Sequence, residues 1–337
     1  MTIGLTGALA VSLAAALDWL IGDPHWMLHP VQVMGWLIQR LRRLVEAWCR
    51  DSPLKLRLGG LLITLLLMGG SGLAGWWIER LALIGSGFAG LGWSLLLLGL
   101  ASALAGRSLH KSVMEVIHVL PTGESGDLNP AREKLSWIVG RDVRELDASG
   151  IVRAAAESAS ENAVDGLFAP LFWMGVGTWL WTVGPGWPGP LTLAWMFKAS
   201  STLDSMLGYR EGALRWLGTA GARADDWLTW LPCRLVMLSL PLVSCGWNRW
   251  SRLVRAAESD GRKDPSPNAG RSEAIYAHCI GIRLGGQNRY NHQWREKPVL
   301  ASFSPAPDAA AVKRILKATL KLELLWVSGL VLLQLAQ

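Results

Sequence analysis

Two long apolar runs, residues 58–78 and 83–106, constrain this chain more than any other feature. A bilayer-spanning helix needs about 20 largely apolar residues, and both runs meet that length. Glu79 and Arg80 lie between them and are read as the tight turn of a hairpin. Glycines recur along both arms, among them Gly69, Gly72, Gly75, Gly90 and Gly92. Small residues let helix backbones approach closely in lipid, so the pair is expected to pack as a unit.

The composition agrees. Hydrophobic residues make up 51% of the 337, charged residues 18%, and mean hydropathy is +0.27. A soluble domain carries about 25% charge, so the composition argues against an ordinary soluble enzyme, and a disordered chain and a small disulfide-stapled domain are excluded. The formal charge is +7. Together with the apolar content it favours anionic lipid or an anionic substrate over nucleic acid. Cys49, Cys233, Cys245 and Cys279 have no CxxC spacing and are read as reduced filler rather than a disulfide or zinc framework.

Further spans are expected at 3–21, 166–183 and 190–206. Residues 3–21 lack a basic flank and a cleavage site, so they read as a retained segment. The stretch 227–247 contains Pro232, Arg234 and Pro241 and is expected to be re-entrant or interfacial. The run 322–336 is short. The fold class expected is all-α: a polytopic membrane protein of about five spans, one membrane-embedded domain over 1–337, with helical polar loops at 107–165, 207–226 and 248–320. Six Lys or Arg within 38–57 place that loop, and with it the polar loops, in the cytoplasm.

Five polar clusters stand out. Asp23 and His29 flank a Pro-rich turn, able to hold a metal or anion or simply to cap a helix. Glu157, Glu161 and Asp165 recur every four residues, on one helix face, where like charges require a compensating cation. The alternative is a solvated helix start. Lys198 and Asp204 lie within apolar sequence, so they pair or address phosphate and metal. Asp225 and Asp226 sit between Arg223 and Arg234, a metal-binding device or a surface charge patch. Asn268 follows Asp264-Pro265-Ser266-Pro267, a turn that feeds a helix and could cradle an anion. Neither GxxxxGK[ST] nor GxGxxG is present.

These clusters resemble the motifs of the membrane-bound cobalamin biosynthesis proteins of the CobD/CbiB family, the adenosylcobinamide-phosphate synthases. The matching stretches, in family order, are 18–35, 131–142, 157–172, 198–210, 222–234 and 266–290. The resemblance implies ATP-dependent amide-bond formation between a side-chain carboxylate of adenosylcobyric acid and aminopropanol phosphate, with Mg²⁺ as metal and the corrinoid as substrate rather than prosthetic group. Joined to the chemistry above, it makes Glu157, Glu161, Asp165, Lys198, Asp225 and Asp226 the catalytic candidates. Glu161, Asp165, Asp225 and Asp226 are the metal candidates. Asp23, His29, Arg223, Arg234 and Asn268 are candidates for binding phosphates or the corrinoid. Membrane lipid is an expected partner and nucleic acid is not; homo-oligomers and association with other pathway enzymes stay open. The chain departs from the family at Thr229, where Asn is usual, and at His278-Cys279, where small residues are usual. His278 could alter substrate fit or add a metal ligand. A transporter would also explain broken helices and buried charges, and a non-catalytic membrane partner of the pathway is the third reading.

Overall fold

The computed structural model describes residues 2–22, 29–49, 52–83, 87–121, 126–209, 211–290 and 293–336. Asp23 therefore lies outside the described residues. Among the described residues the fold is helical apart from one antiparallel hairpin, Leu284–Tyr290 with Gln293–Leu300. Five helical stretches among the described residues are long and apolar enough to cross a membrane: Ile3–Ile21, Pro53–Leu83, Ala89–His118, Ala148–Val183 and Thr219–Ser244. The chain is a polytopic membrane protein.

The expected all-α class of about five spans stands, with some of its members and bounds corrected. The helix Pro53–Leu83 runs straight through Glu79 and Arg80, so those residues are not the turn. Glu79 is tolerated there because its buried carboxylate accepts the N–H groups of Gly189, Leu191 and Thr192. Pro190–Leu207, expected as a span, is an 18-residue helix outside that set, and it carries Lys198 and Asp204. The stretch expected to be re-entrant belongs to the continuous 26-residue helix Thr219–Ser244. Pro232 has no N–H to offer the Leu228 carbonyl four residues back. The Trp173 indole N–H donates to that carbonyl instead, at 3.1 Å. The C-terminal run continues the preceding helix, Ala309–Leu335, without a break.

The chain divides into two compact units. The first comprises 1–105, 169–229 and 325–337. Its core gathers Met34, Ile38, Leu56, Ile63, Leu67, Ala199, Leu203 and Leu207. Close backbone approach is required at Gly92, where an added Cβ would lie 2.4 Å from the Ala82 nitrogen. Leu62, Leu65, Leu66 and Leu73 remain exposed, as suits a lipid-facing helix. The second unit comprises 106–168 and 230–324. Its helices include Asn129–Ser136, Ala148–Ala163, Trp250–Gly261 and Ala269–Ile280, around buried Val113, Ile151, Ala155, Tyr276 and Ile315.

Candidate functional site

In the second unit, the helix Ala148–Ala163 starts at Asp147, whose carboxylate accepts the Gly150 N–H at 2.6 Å. The α-helical spacing that aligns Glu157 with Glu161 ends at Ala163. Asp165 sits in a π-helical turn, Val164–Phe168. Pro170 follows, and an α-helical register would set its ring against the Gly166 carbonyl, so the wider turn relieves a clash.

Glu157 is buried to 1% exposure. It pairs with the Arg141 guanidinium through a short contact and accepts the Gly285 N–H at 2.8 Å. Arg141 also donates to Asn288 Oδ1 at 2.6 Å. The hairpin reaches Glu157 through a bulge between Leu284 and Gly286. Gly285 has φ of +81° there, a conformation that requires glycine. Burial works against the Arg141 charge, but the Glu157 carboxylate holds its pKa above the usual value.

Beside this pair, Lys297 donates to Glu273 Oε1 at 2.8 Å. Glu273 is also 1% exposed. Burial pushes its carboxyl up to about 8; Lys297 opposes the shift, and Glu161 and Glu157 reinforce it. Burial also disfavours the Lys297 ammonium, yet Glu273, Glu161 and Glu157 together hold its pKa above the ordinary range. Burial and the neighbouring carboxylates thus favour a proton on Glu273 itself. Glu157 and Glu273 are enclosed, while Glu161 is half-buried and faces a less restricted environment. Sequence pattern singles out Glu157 and Glu161 but not Arg141, Glu273 or Lys297. Like charges at 157 and 161 are the one signal in the sequence that cations have to lie near them.

Also in this unit, Arg234 donates to Asn268 Oδ1 at 2.6 Å and to the Pro267 carbonyl at 2.9 Å. The structure therefore brings together two residues that the sequence suggests separately. Asn268 does not cap the helix Ala269–Ile280 with its side chain. Ser266 Oγ takes the Ala269 N–H at 3.1 Å instead. His278, the departure from the family pattern, lies 3.0 Å from Asp260 Oδ2, which also accepts the Ala301 N–H. Asp260 thereby anchors the end of the hairpin, and His278 holds Asp260.

In the first unit, Asp225 lies in the electrostatic neighbourhood of Lys198, Asp204 and Asp226. The helices Pro190–Leu207 and Thr219–Ser244 supply these four side chains. One oxygen of Asp225 and the Thr229 hydroxyl, one turn apart, are buried with no hydrogen-bond partner among the described residues. Arg223 is exposed. His29 Nδ1 accepts the Val31 N–H at 3.3 Å, at the start of Pro30–Cys49, which is the capping role.

Among the described residues, no group of three or more His, Cys, Asp or Glu side chains is arranged to hold a metal by itself. Glu161 and Asp165 form no such cage, and neither do Asp225 and Asp226. Mg²⁺ is ordinarily bound by one or two carboxylates plus substrate phosphates. The unpartnered Asp225 oxygen beside Asp226 fits that mode.

These features define a helical membrane protein with charged clusters built into both of its units. The family model described as CobD/Cbib protein matches residues 11–319. The chain is 41% identical over 296 residues to the cobalamin biosynthesis protein CobD of Synechocystis, covering 88% of this chain and 82% of that one. It is 41% identical to CobD of Klebsiella pneumoniae, over 86% of each chain. It is 36% identical to CbiB of Salmonella typhi over 95% of this chain and 93% of the other. No solved structure matches. The chain belongs to the CobD/CbiB family.

Proposed function

We propose that this protein acts in cobalamin biosynthesis, in the amide-forming step that joins adenosylcobyric acid to aminopropanol phosphate and yields adenosylcobinamide phosphate. Family membership across residues 11–319 carries the reading. A carboxylate and an amine do not condense unaided at neutral pH. In the proposed reaction a carboxylate oxygen of the corrinoid attacks the terminal phosphorus of ATP, and ADP leaves. The amine then attacks the acyl carbon, inorganic phosphate departs, and the amine proton passes to a base. In the first unit, Lys198 and Arg223 would steady phosphates, and Asp225 and Asp226 would hold Mg²⁺. The metal, when bound, would supply neutralisation of phosphate charge. Taken by itself, the second unit offers Glu161 as a candidate base, since it is less enclosed than Glu157. Glu157 orients the hairpin, Asp165 is a further metal or base candidate, and Arg234 with Asn268 binds an anionic or amide group. Asp23 and His29 complete the binding candidates. We assign the polar loops to the cytoplasmic side on the strength of the basic segment 38–57.

The test is mass-spectrometric turnover by the purified protein in nanodiscs, given adenosylcobyric acid, aminopropanol phosphate, ATP and Mg²⁺. Omitting each component in turn should abolish the product. Amide formed equally without ATP would overturn the activation step. No amide from a monodisperse, corrinoid-binding sample would overturn the reaction assigned here.

A further inference from the structure

Within the second unit, the later part of the helix Thr219–Ser244 and the helix Ala269–Ile280 lie side by side, joined by hydrogen bonds at both ends. At one end Arg234 donates to Asn268 Oδ1, and the Cys233 thiol donates to the Asn268 carbonyl at 3.4 Å. At the other end the Cys245 thiol donates to the Cys279 carbonyl at 3.1 Å. Arg234 and Asn268 are 34 residues apart along the chain, and so are Cys245 and Cys279. The two segments therefore run parallel and in register. Cys245 directly follows the last residue of its helix, and Cys279 is the last residue but one of its own. The final carbonyls of a helix have no partner within it, and the Cys245 thiol supplies one at Cys279. The Cys279 thiol in turn bonds the Cys245 sulfur. Both residues are half-buried, and both thiols are free.

Two thiols in contact at the ends of anchored, parallel segments form a dithiol site. The bond from the Cys279 thiol lowers the Cys245 pKa below the ordinary thiol value against the effect of burial, and Arg249 assists; the same bond and burial raise that of Cys279. The thiolate is the attacking species, so Cys245 is the nucleophile and Cys279 the resolving thiol. We propose that Cys245 and Cys279 are a modification site that closes to a reversible intramolecular disulfide on reaction with a low-molecular-weight disulfide. The Cys245 thiolate attacks one sulfur of the small disulfide, whose S–S bond breaks and releases one thiolate. Cys279 then gives up its proton and attacks the Cys245 sulfur of the mixed disulfide, expelling the second small thiolate. The protein loses two electrons, and the small disulfide is reduced to two thiols. The new bond staples the end of the helix that carries Glu273 to the end of the long helix Thr219–Ser244. Neither cysteine is among the residues assigned to amide formation, so the site does not rest on that reading.

The test uses the full chain in phosphatidylcholine nanodiscs, incubated with glutathione disulfide and read by intact mass and by peptide mapping after alkylation. Wild type should lose two hydrogens and yield a linked Cys245–Cys279 peptide that dithiothreitol reverses, with no glutathione left at either position. Cys279→Ala keeps the carbonyl that Cys245 bonds and removes only the resolving thiol. It should retain one glutathione on Cys245 and form no link. Cys245→Ser keeps a donor for the same carbonyl. Its Cys279 should react about tenfold more slowly than Cys245 does in Cys279→Ala. Cys49, a half-buried thiol of the first unit, serves as the internal comparison. The proposal is overturned if wild type carries glutathione on Cys245 or Cys279 without linking them, or if neither of the two reacts. A link between two copies of the chain, or one that involves Cys49, would overturn it equally.

Discussion

Glu79 accepts both the backbone N–H and the hydroxyl of Thr192, at 2.9 and 2.6 Å. A carboxylate in the helix Pro53–Leu83 thereby satisfies the start of Pro190–Leu207, the helix that carries Lys198 and Asp204. The N–H groups of the first helical turn have no partner within their own helix, and in lipid no water replaces one. Glu79→Ala should therefore destabilise the protein by about 3 kcal/mol, because it strands several buried donors. Thermal unfolding in detergent checks this, with Thr192→Val expected to cost about 1 kcal/mol. An unchanged midpoint in Glu79→Ala would remove the capping role.

Glu157 and Glu161 should separate in a mutational test although they are one helical turn apart. Glu157→Gln breaks a buried ion pair, which costs about 3–5 kcal/mol, and it should raise hydrogen exchange across Leu284–Tyr290. Glu161→Gln should lower turnover at least tenfold with the same exchange pattern as wild type. Normal turnover by folded Glu161→Gln protein would exclude it as the base.

The Glu273 carboxyl, raised from an ordinary value of 4.5 to about 8, predicts a pH dependence with a definite sign. The folded state holds this proton more tightly than the unfolded state. Its contribution is complete below pH 4.5 and is lost as pH rises through about 8. The unfolding temperature should decline between pH 5 and 8, and Glu273→Gln should flatten that decline. Equal slopes in variant and wild type would contradict the assignment.

Thr229 and Asp225 lie one turn apart, each with a buried, unpartnered oxygen. A hydroxyl without a partner contributes no hydrogen bond to lose, so Thr229→Val should change stability by less than about 1 kcal/mol. Asp225→Asn should instead reduce turnover while the protein stays folded, if its free oxygen serves Mg²⁺. Activity titrated against Mg²⁺ separates the two, since only Asp225→Asn should shift the metal requirement.

Charge-free runs announce the membrane in the linear chain, because burying an unsatisfied charge in hydrocarbon is costly. The four-residue spacing of Glu157 and Glu161 announces a helix face. Other features have no local signal. Pro232 and Pro241 argue for a broken segment at 227–247, yet one helix persists, because the indole of Trp173, 55 residues from Leu228, supplies the missing donor at the Leu228 carbonyl. The hairpin escapes sequence pattern because its strands, Leu284–Tyr290 and Gln293–Leu300, are mostly polar and show no alternating burial.

Membrane residence, helical character and membership of the CobD/CbiB family follow from the amino-acid sequence alone, since hydropathy, periodicity and ordered motifs are all local properties. Which charges are neutralised, and which stay available, follows only from the folded arrangement. Glu157 meets the Gly285 amide 128 residues away, and Lys297 meets Glu273 across 24 residues. Arg153 spends its hydrogen bonds on neutral carbonyls and keeps its charge. Electrostatic energy depends on distance and burial in three dimensions, and neither is encoded in spacing along the chain.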